Sequence, residues 1–389
     1  MPTAVWALMV AQALALCAMP LIVLIGGIVG LQLSESPQWA TLPVAMVIIA
    51  TAFSVLPAAR LAQHWGRKPL FVAAMGQGVL GSLCAVMALS LSSFFLFVVA
   101  CALLGSLVAV IQQFRFVAMD MVEPDQQAVI ASRLLLVGLF SAFVGPELAT
   151  LAQWWPESGF RASFLALAVL YGLAGLVLWR VLPIAPVTTF NNDVMTGRSW
   201  PELFRQPRLW LAVSAGSCGY AIMSYLMTAT PLSMTDSYGF SVDEAKWVIQ
   251  SHIVAMFLPS IASGFLIRRL GHWWVILMGF LVLLVSIAVS WFDATFVHFW
   301  GGLVLLGIGW NFLFVAGTAL LAGCYEPAEA TRVQGMNDAL VFGLQAFGAL
   351  ASGAVVLLLG WQGLLLTTLP LLLLLLVVLI RVRPSQLTA

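Results

Sequence analysis

Few side chains in this chain could hold anything other than lipid or one another, and four of them form two matching pairs. Met223 and Met227 stand four residues apart, and so do His252 and Met256. On a helix that spacing puts both members of a pair on one face, a turn apart. Thioether sulfur is soft and uncharged, and a neutral imidazole adds no charge, so the set suits Cu(I) better than Zn(II), Mg(II) or Ca(II). A site of this kind holds a monovalent ion weakly enough to let it go. Met is also an ordinary gap filler of apolar helices, and among 15 Met one such pair carries little weight alone. His252 adds weight, because His64, His272 and His298 read as loop or interface residues while His252 falls well inside an apolar run. Cys218, more than a turn before Met223, is either an accessory metal ligand or a small core residue. Cys17, Cys84, Cys101 and Cys324 are dispersed, form no CxxC pair and read as buried small hydrophobes.

The remaining buried charges suggest gating and coupling. Glu147 follows Gly145-Pro146 and is a candidate for ion coupling or for tying helices together. Arg115, in the run Gln112-Gln113-Phe114-Arg115, is expected to pair with Asp120 or Glu147. Arg67, in a Gly-Arg-Lys turn, is a candidate gate residue as well as an orientation signal. Asn337 and Asp338 read as packing contacts between helices. Nothing resembles a nucleophile with its base, a catalytic acid pair or a three-ligand hydrolytic metal site, so no enzyme is expected and no permanently bound cofactor.

The elements that must position these residues are membrane spans. Of 389 residues, 62% are hydrophobic and 8% charged, with mean hydropathy +1.06, whereas a soluble domain carries about 25% charged residues. Apolar windows recur at 4–31, 40–62, 69–90, 93–120, 127–154, 161–182, 207–234, 244–267, 272–291, 295–321, 329–357 and 361–380. Each is long enough to cross the roughly 30 Å of bilayer hydrocarbon as a helix. The expected fold is an all-α integral membrane protein with twelve transmembrane helices in two pseudo-symmetric six-helix bundles. Residues 1–183 form the N-terminal bundle, 184–206 a cytoplasmic linker and 207–389 the C-terminal bundle. Arg60, Arg67, Lys68, Arg180, Arg198, Arg205, Arg208, Arg268 and Arg269 gather in alternate loops, which puts both termini in the cytoplasm. A formal net charge of +1 without a basic block argues against nucleic acid as a partner.

The halves echo one another. Arg60–Lys68 (RLAQHWGRK) corresponds to Leu266–Trp274 (LIRRLGHWW), and Val122-Glu123-Pro124 to Tyr325-Glu326-Pro327, both at offsets of about 200 residues. Two parallel six-helix repeats are the layout of an alternating-access carrier. On these features the chain resembles the major facilitator superfamily. Gly66-Arg67-Lys68 matches the last part of the signature after span two, while Gln63 stands where that family usually has an acidic residue. The two ladders, with the span-four run Gln112–Phe116, look like the CcoA-like copper-importing branch. That resemblance implies copper passage through Met223, Met227, His252 and Met256 in a bacterial inner-membrane importer supplying haem–copper oxidase assembly. It also implies delivery to a cytosolic copper-binding thiol protein. Related carriers without both ladders look like riboflavin transporters, so import of riboflavin or another small organic solute stays open. A flavin would then meet aromatic and amide groups near Trp310, Asn311 and Phe312. A non-transporting receptor or assembly factor is the alternative of another class. Beyond the bilayer the expected partner is the copper ion itself, carried as substrate by a monomer.

Overall fold

A computed structural model describes residues 2–183, 197–326 and 329–382; within them some side chains, including those of Gln63, Arg115 and Asp120, lie outside the description. The first half is built from α1 (Thr3–Ala15), α2 (Ala18–Leu33), α3 (Leu42–Trp65), α4 (Arg67–Ser90), α5 (Phe94–Ile111), α6 (Phe114–Asp120), α7 (Pro124–Trp154) and α8 (Arg161–Val181). A short α9 (Trp200–Phe204) precedes α10 (Pro207–Leu232), α11 (Val242–Phe257), α12 (Ser260–Leu270), α13 (His272–Phe292), α14 (Phe296–Ala322), α15 (Ala330–Leu366) and α16 (Leu369–Arg381).

Ten segments among the described residues are long and apolar enough to cross a membrane. The fifty-residue segment Arg332–Arg381 is interrupted at Gly360, whose φ of 69° lies outside the helical region. The shorter apolar run Val137–Leu151 lies within α7. Splitting the former and adding the latter gives twelve spans, in the order expected from hydropathy. Large apolar side chains point outward along them: Phe53, Phe95, Phe292 and Leu358 are each more than 70% exposed. Only a hydrocarbon surround makes such a surface stable.

Four spans that read as continuous in hydropathy are broken, the final one where α15 gives way to α16 at Thr367–Thr368. α1 gives way to α2 at Leu16–Cys17, where the Tyr171 hydroxyl of α8 donates to the Ala15 carbonyl at 3.1 Å. α5 gives way to α6 at Gln112–Gln113, and α11 to α12 at Leu258–Pro259. Pro259 has no N–H to continue the ladder, so the break there has a direct chemical cause.

Contacts divide the chain into two compact units. One comprises Met1–Phe190 with Ser241–Lys246, the other Asn191–Phe240 with Trp247–Ala389. In the first unit α3 packs on α5, where the Thr51 hydroxyl lies 2.8 Å from the carbonyl oxygens of both Val47 and Gly105. In the second, α14 is the central post against which α10, α12 and α13 pack, with α15 against α10.

The repeat seen in the sequence is a repeat of backbone geometry. Gly66 joins α3 to α4 at φ 82°, ψ 161°, and Gly271 joins α12 to α13 at φ 88°, ψ 161°. Each closes the helix before it through its own N–H: Gly66 to the Ala62 oxygen at 3.1 Å, Gly271 to the Ile267 oxygen at 2.8 Å. Each also starts the next helix, its oxygen accepting from Leu70 or Val275 at 3.4 Å. A side chain at either position would be strained, which is why the same residue type occupies both.

Candidate functional site

The second unit holds the residues singled out for binding. His252 is fully buried on α11, with Nδ1 2.7 Å from the Leu303 carbonyl oxygen on α14. The close approach is made by Gly307, where a Cβ would stand 2.7 Å from the His252 oxygen and 3.0 Å from the Met256 nitrogen. His252 Nε2 finds no hydrogen-bond partner among the described residues. One turn later Met256 is also buried. Its carbonyl has lost its normal partner, the Ser260 N–H, at the Pro259 break, and Asn311 Nδ2 of α14 donates to it at 2.7 Å instead. Asn311 Nδ2 also donates to Ser260 Oγ at 2.6 Å, and Asn311 Oδ1 accepts from Ser263 Oγ at 2.7 Å. The amide expected to face a flavin is thus occupied in holding a broken helix. Phe312, one residue on, turns away by the 100° helical step and takes no part in the ring contacts of Trp310.

The methionine ladder stands on α10. Met223 is buried and Met227 half-buried. The contacts that fix His252 and Met256 run to Leu303, Gly307 and Asn311 of α14. Cys218 is buried among helices. Among the described residues no three His, Cys, Asp or Glu side chains gather as a metal site.

Around Tyr220, three residues before Met223, four rings from three helices meet. Tyr220 presents an edge-to-face contact to Trp310 at 5.0 Å and to Phe314 at 5.2 Å, with Phe342 of α15 tilted at 6.5 Å. Trp310 and Phe314, a turn apart on α14, stack at 5.1 Å and 10°. Trp310 Nε1 is buried without a hydrogen-bond partner among the described residues, as are the hydroxyls of Ser217, Ser224 and Thr228. Those hydroxyls fall at i, i+7 and i+11, one strip of α10 beside Tyr220.

In the first unit, Glu147 is an exposed residue of α7 rather than a shielded one. It pairs with Lys246 at 3.1 Å, and Lys246, buried, also pairs with Asp243 at 2.8 Å. The side chains of Arg115 and Asp120 lie outside the described residues, so their expected pairing does too. Arg67 is half-buried at the start of α4, in the turn set by Gly66.

One strong site had no sequence signal. Arg198 Nη2 and Nε bind Glu329 Oε2 and Oε1 at 2.6 and 2.9 Å, a bidentate pair, and the Arg198 N–H donates to Oε1 at 2.6 Å. Hydrogen bonds from Arg198, joined by the Glu326 N–H, hold the Glu329 carboxyl down to about 2. Arg198 also donates to the Cys324 carbonyl at 3.1 Å, as Gln206 does at 3.2 Å. Arg332 lies over the Trp200 ring at 5.2 Å.

A family model described as Major Facilitator Superfamily matches residues 4–232 and again 212–389. A protein of Brucella anthropi named riboflavin transporter RfnT is 36% identical over 387 residues, covering 98% of this chain and 96% of that one. An uncharacterised MFS-type transporter of Bacillus subtilis, YdeG, is 28% identical over 86% of this chain and 81% of its own length. Among solved structures, a nucleoside transporter, NupG, superposes with TM-score 0.73 at 15% identity, covering 98% of this chain and 100% of that one. A human organic anion transporter (TETRAN) does so with TM-score 0.68 at 14% identity, over 97% and 99%. At such identities the two structures speak for the fold alone.

Proposed function

This chain belongs to the major facilitator superfamily, and we propose that it carries riboflavin or a closely related flavin across the bacterial inner membrane, inward, by alternating access. The likeness to RfnT carries the reading: 36% identity spread over 98% of the chain. Identity at that level and extent makes a shared solute class better supported than copper. The aromatic cluster around Tyr220 agrees with it, since flat heteroaromatic rings are held by stacking and a few polar contacts. No covalent chemistry is required; the solute is bound, the two repeats exchange access, and the solute leaves on the other side. Uptake of labelled riboflavin into a riboflavin auxotroph tests the reading. Uptake no faster than in cells lacking the protein, at verified expression, would overturn it. Counterflow in proteoliposomes separates a carrier from a receptor that only binds.

A second reading is favoured by one specific observation. His252 donates Nδ1–H to a backbone carbonyl, which is how metal-binding imidazoles are commonly held, and its Nε2 lone pair has no described partner. Copper import through Met223, Met227, His252 and Met256, with Cys218 as accessory, remains the proposal for that geometry. Copper uptake compared among wild type, Met227→Ala and His252→Ala tests it, and equal accumulation in all three would sink it.

A further inference from the structure

The cluster around Tyr220 combines two features that simple packing does not join. Tyr220, Phe314 and Phe342 each keep part of their surface exposed, while Trp310 behind them is only 3% exposed. Beside them lie buried polar atoms with no partner among the described residues: Trp310 Nε1 and the hydroxyls of Ser217 and Ser224, a turn before and a turn after Tyr220. Buried donors of this kind are normally satisfied, by protein, water or a ligand.

We infer that Tyr220, Phe314 and Phe342 form a stacking subsite for a planar, fused heteroaromatic ring, and that Trp310 Nε1, Ser217 and Ser224 supply hydrogen bonds to its polar edge. The inference rests on the flavin reading only for the choice of ring. The stack of Trp310 on Phe314 stiffens the platform: two rings at 10° move as one wall, and Tyr220 meets both edge-on. Its residues come from α10, α14 and α15, so a ring seated there reports on the packing of all three. Neither thioether ladder takes part, so subsite and metal reading are separable by mutation.

The test uses the full chain in nanodiscs, with riboflavin and lumichrome (the same ring system without the ribityl chain) as probes and quenching of their fluorescence as the readout. Riboflavin uptake is measured in parallel. Wild type is expected to bind both probes, and Tyr220→Leu and Phe314→Leu each to weaken both by about tenfold, the scale of one lost stacking contact. Tyr220→Phe, which keeps the ring, is expected to restore most of what Tyr220→Leu loses. If the leucine variants do not elute as folded protein, Phe342→Leu at the edge of the cluster carries the same expectation. Binding within twofold of wild type in the leucine variants overturns the subsite and leaves riboflavin transport standing. Lumichrome binding that depends on Tyr220 and Phe314, without riboflavin uptake, supports the subsite and overturns the flavin-transport reading. A wild-type protein that quenches neither probe overturns the subsite.

Discussion

His252 Nδ1 stands 2.7 Å from the Leu303 carbonyl oxygen. A carbonyl can only accept, so Nδ1 carries a proton, and in the neutral ring Nε2 then presents a lone pair. Replacing the ring therefore removes a buried contact and a tautomer-fixing bond together. His252→Ala is expected to destabilise the protein by about 1–3 kcal/mol, read as a fall in detergent melting temperature. Riboflavin uptake per folded molecule should survive under the flavin reading. Complete loss of copper accumulation, with wild-type copper uptake established, would instead assign the lone pair to metal.

Asn311 offers a sharper stability test. It makes three hydrogen bonds around the α11–α12 break, to Met256, Ser260 and Ser263. At roughly 0.5–1.5 kcal/mol for each net bond, Asn311→Ala should cost about 2–4 kcal/mol. Asn311→Asp should do no better, because an acceptor would replace the donor facing the Met256 carbonyl. Thermal unfolding of the three proteins in one detergent decides this, and a shift of Asn311→Ala within experimental error would show that the break holds without the amide.

How much of this was legible beforehand depended on distance along the chain. The membrane class, the number of spans and the two-half repeat are carried by local runs and by the Gly66 and Gly271 turns, which the backbone reproduces nearly degree for degree. The Leu258–Pro259 break was missed, because hydropathy runs unbroken over 244–267 and does not register that Pro cannot donate. The ligand-like residues were harder, because sequence neighbours diverge on a helix. Trp310, Asn311 and Phe312 looked like one patch, yet Trp310 stacks with Phe314 while Asn311 faces α11 and α12. Tyr220 joins that stack from another helix, and Glu329 meets an Arg 131 residues earlier. No local period encodes such meetings.

Lys246 is flanked by two carboxylates, Glu147 at 3.1 Å and Asp243 at 2.8 Å. Removing either acid leaves the buried ammonium its pair with the other, whereas removing the cation leaves both acids without the charge they share. Glu147→Gln should therefore retain most transport and Lys246→Met lose most of it. Uptake rates at matched expression check the order. Equal loss in both would return Glu147 to the ion-coupling role suggested by its place after Gly145-Pro146.

The Arg198–Glu329 clamp predicts a pH dependence whose sign is fixed. The Glu329 carboxyl is held at about 2, below its ordinary 4.5, because its charged form is the one that Arg198 binds. A depressed acid stabilises the folded state fully above its unfolded value and loses that contribution as pH falls toward the folded value. The clamp should thus be complete at neutral pH, unchanged down to about pH 5, and lost between about 4.5 and 2. Hydrogen exchange of the 198–206 peptide, corrected for its intrinsic rate, should stay slow over the first interval and rise only in the second. Glu329→Gln should expose the same peptide at pH 7, with trypsin cutting after Arg198 and Arg205 several-fold faster than in wild type. In that variant at pH 7 the short helix itself should not melt first, because its capping box uses a different carboxylate: the Ser199 N–H donates to Glu202 Oε2 at 2.7 Å. Exchange that accelerates already between pH 7 and 5 would show that something other than Glu329 governs how the segment is held.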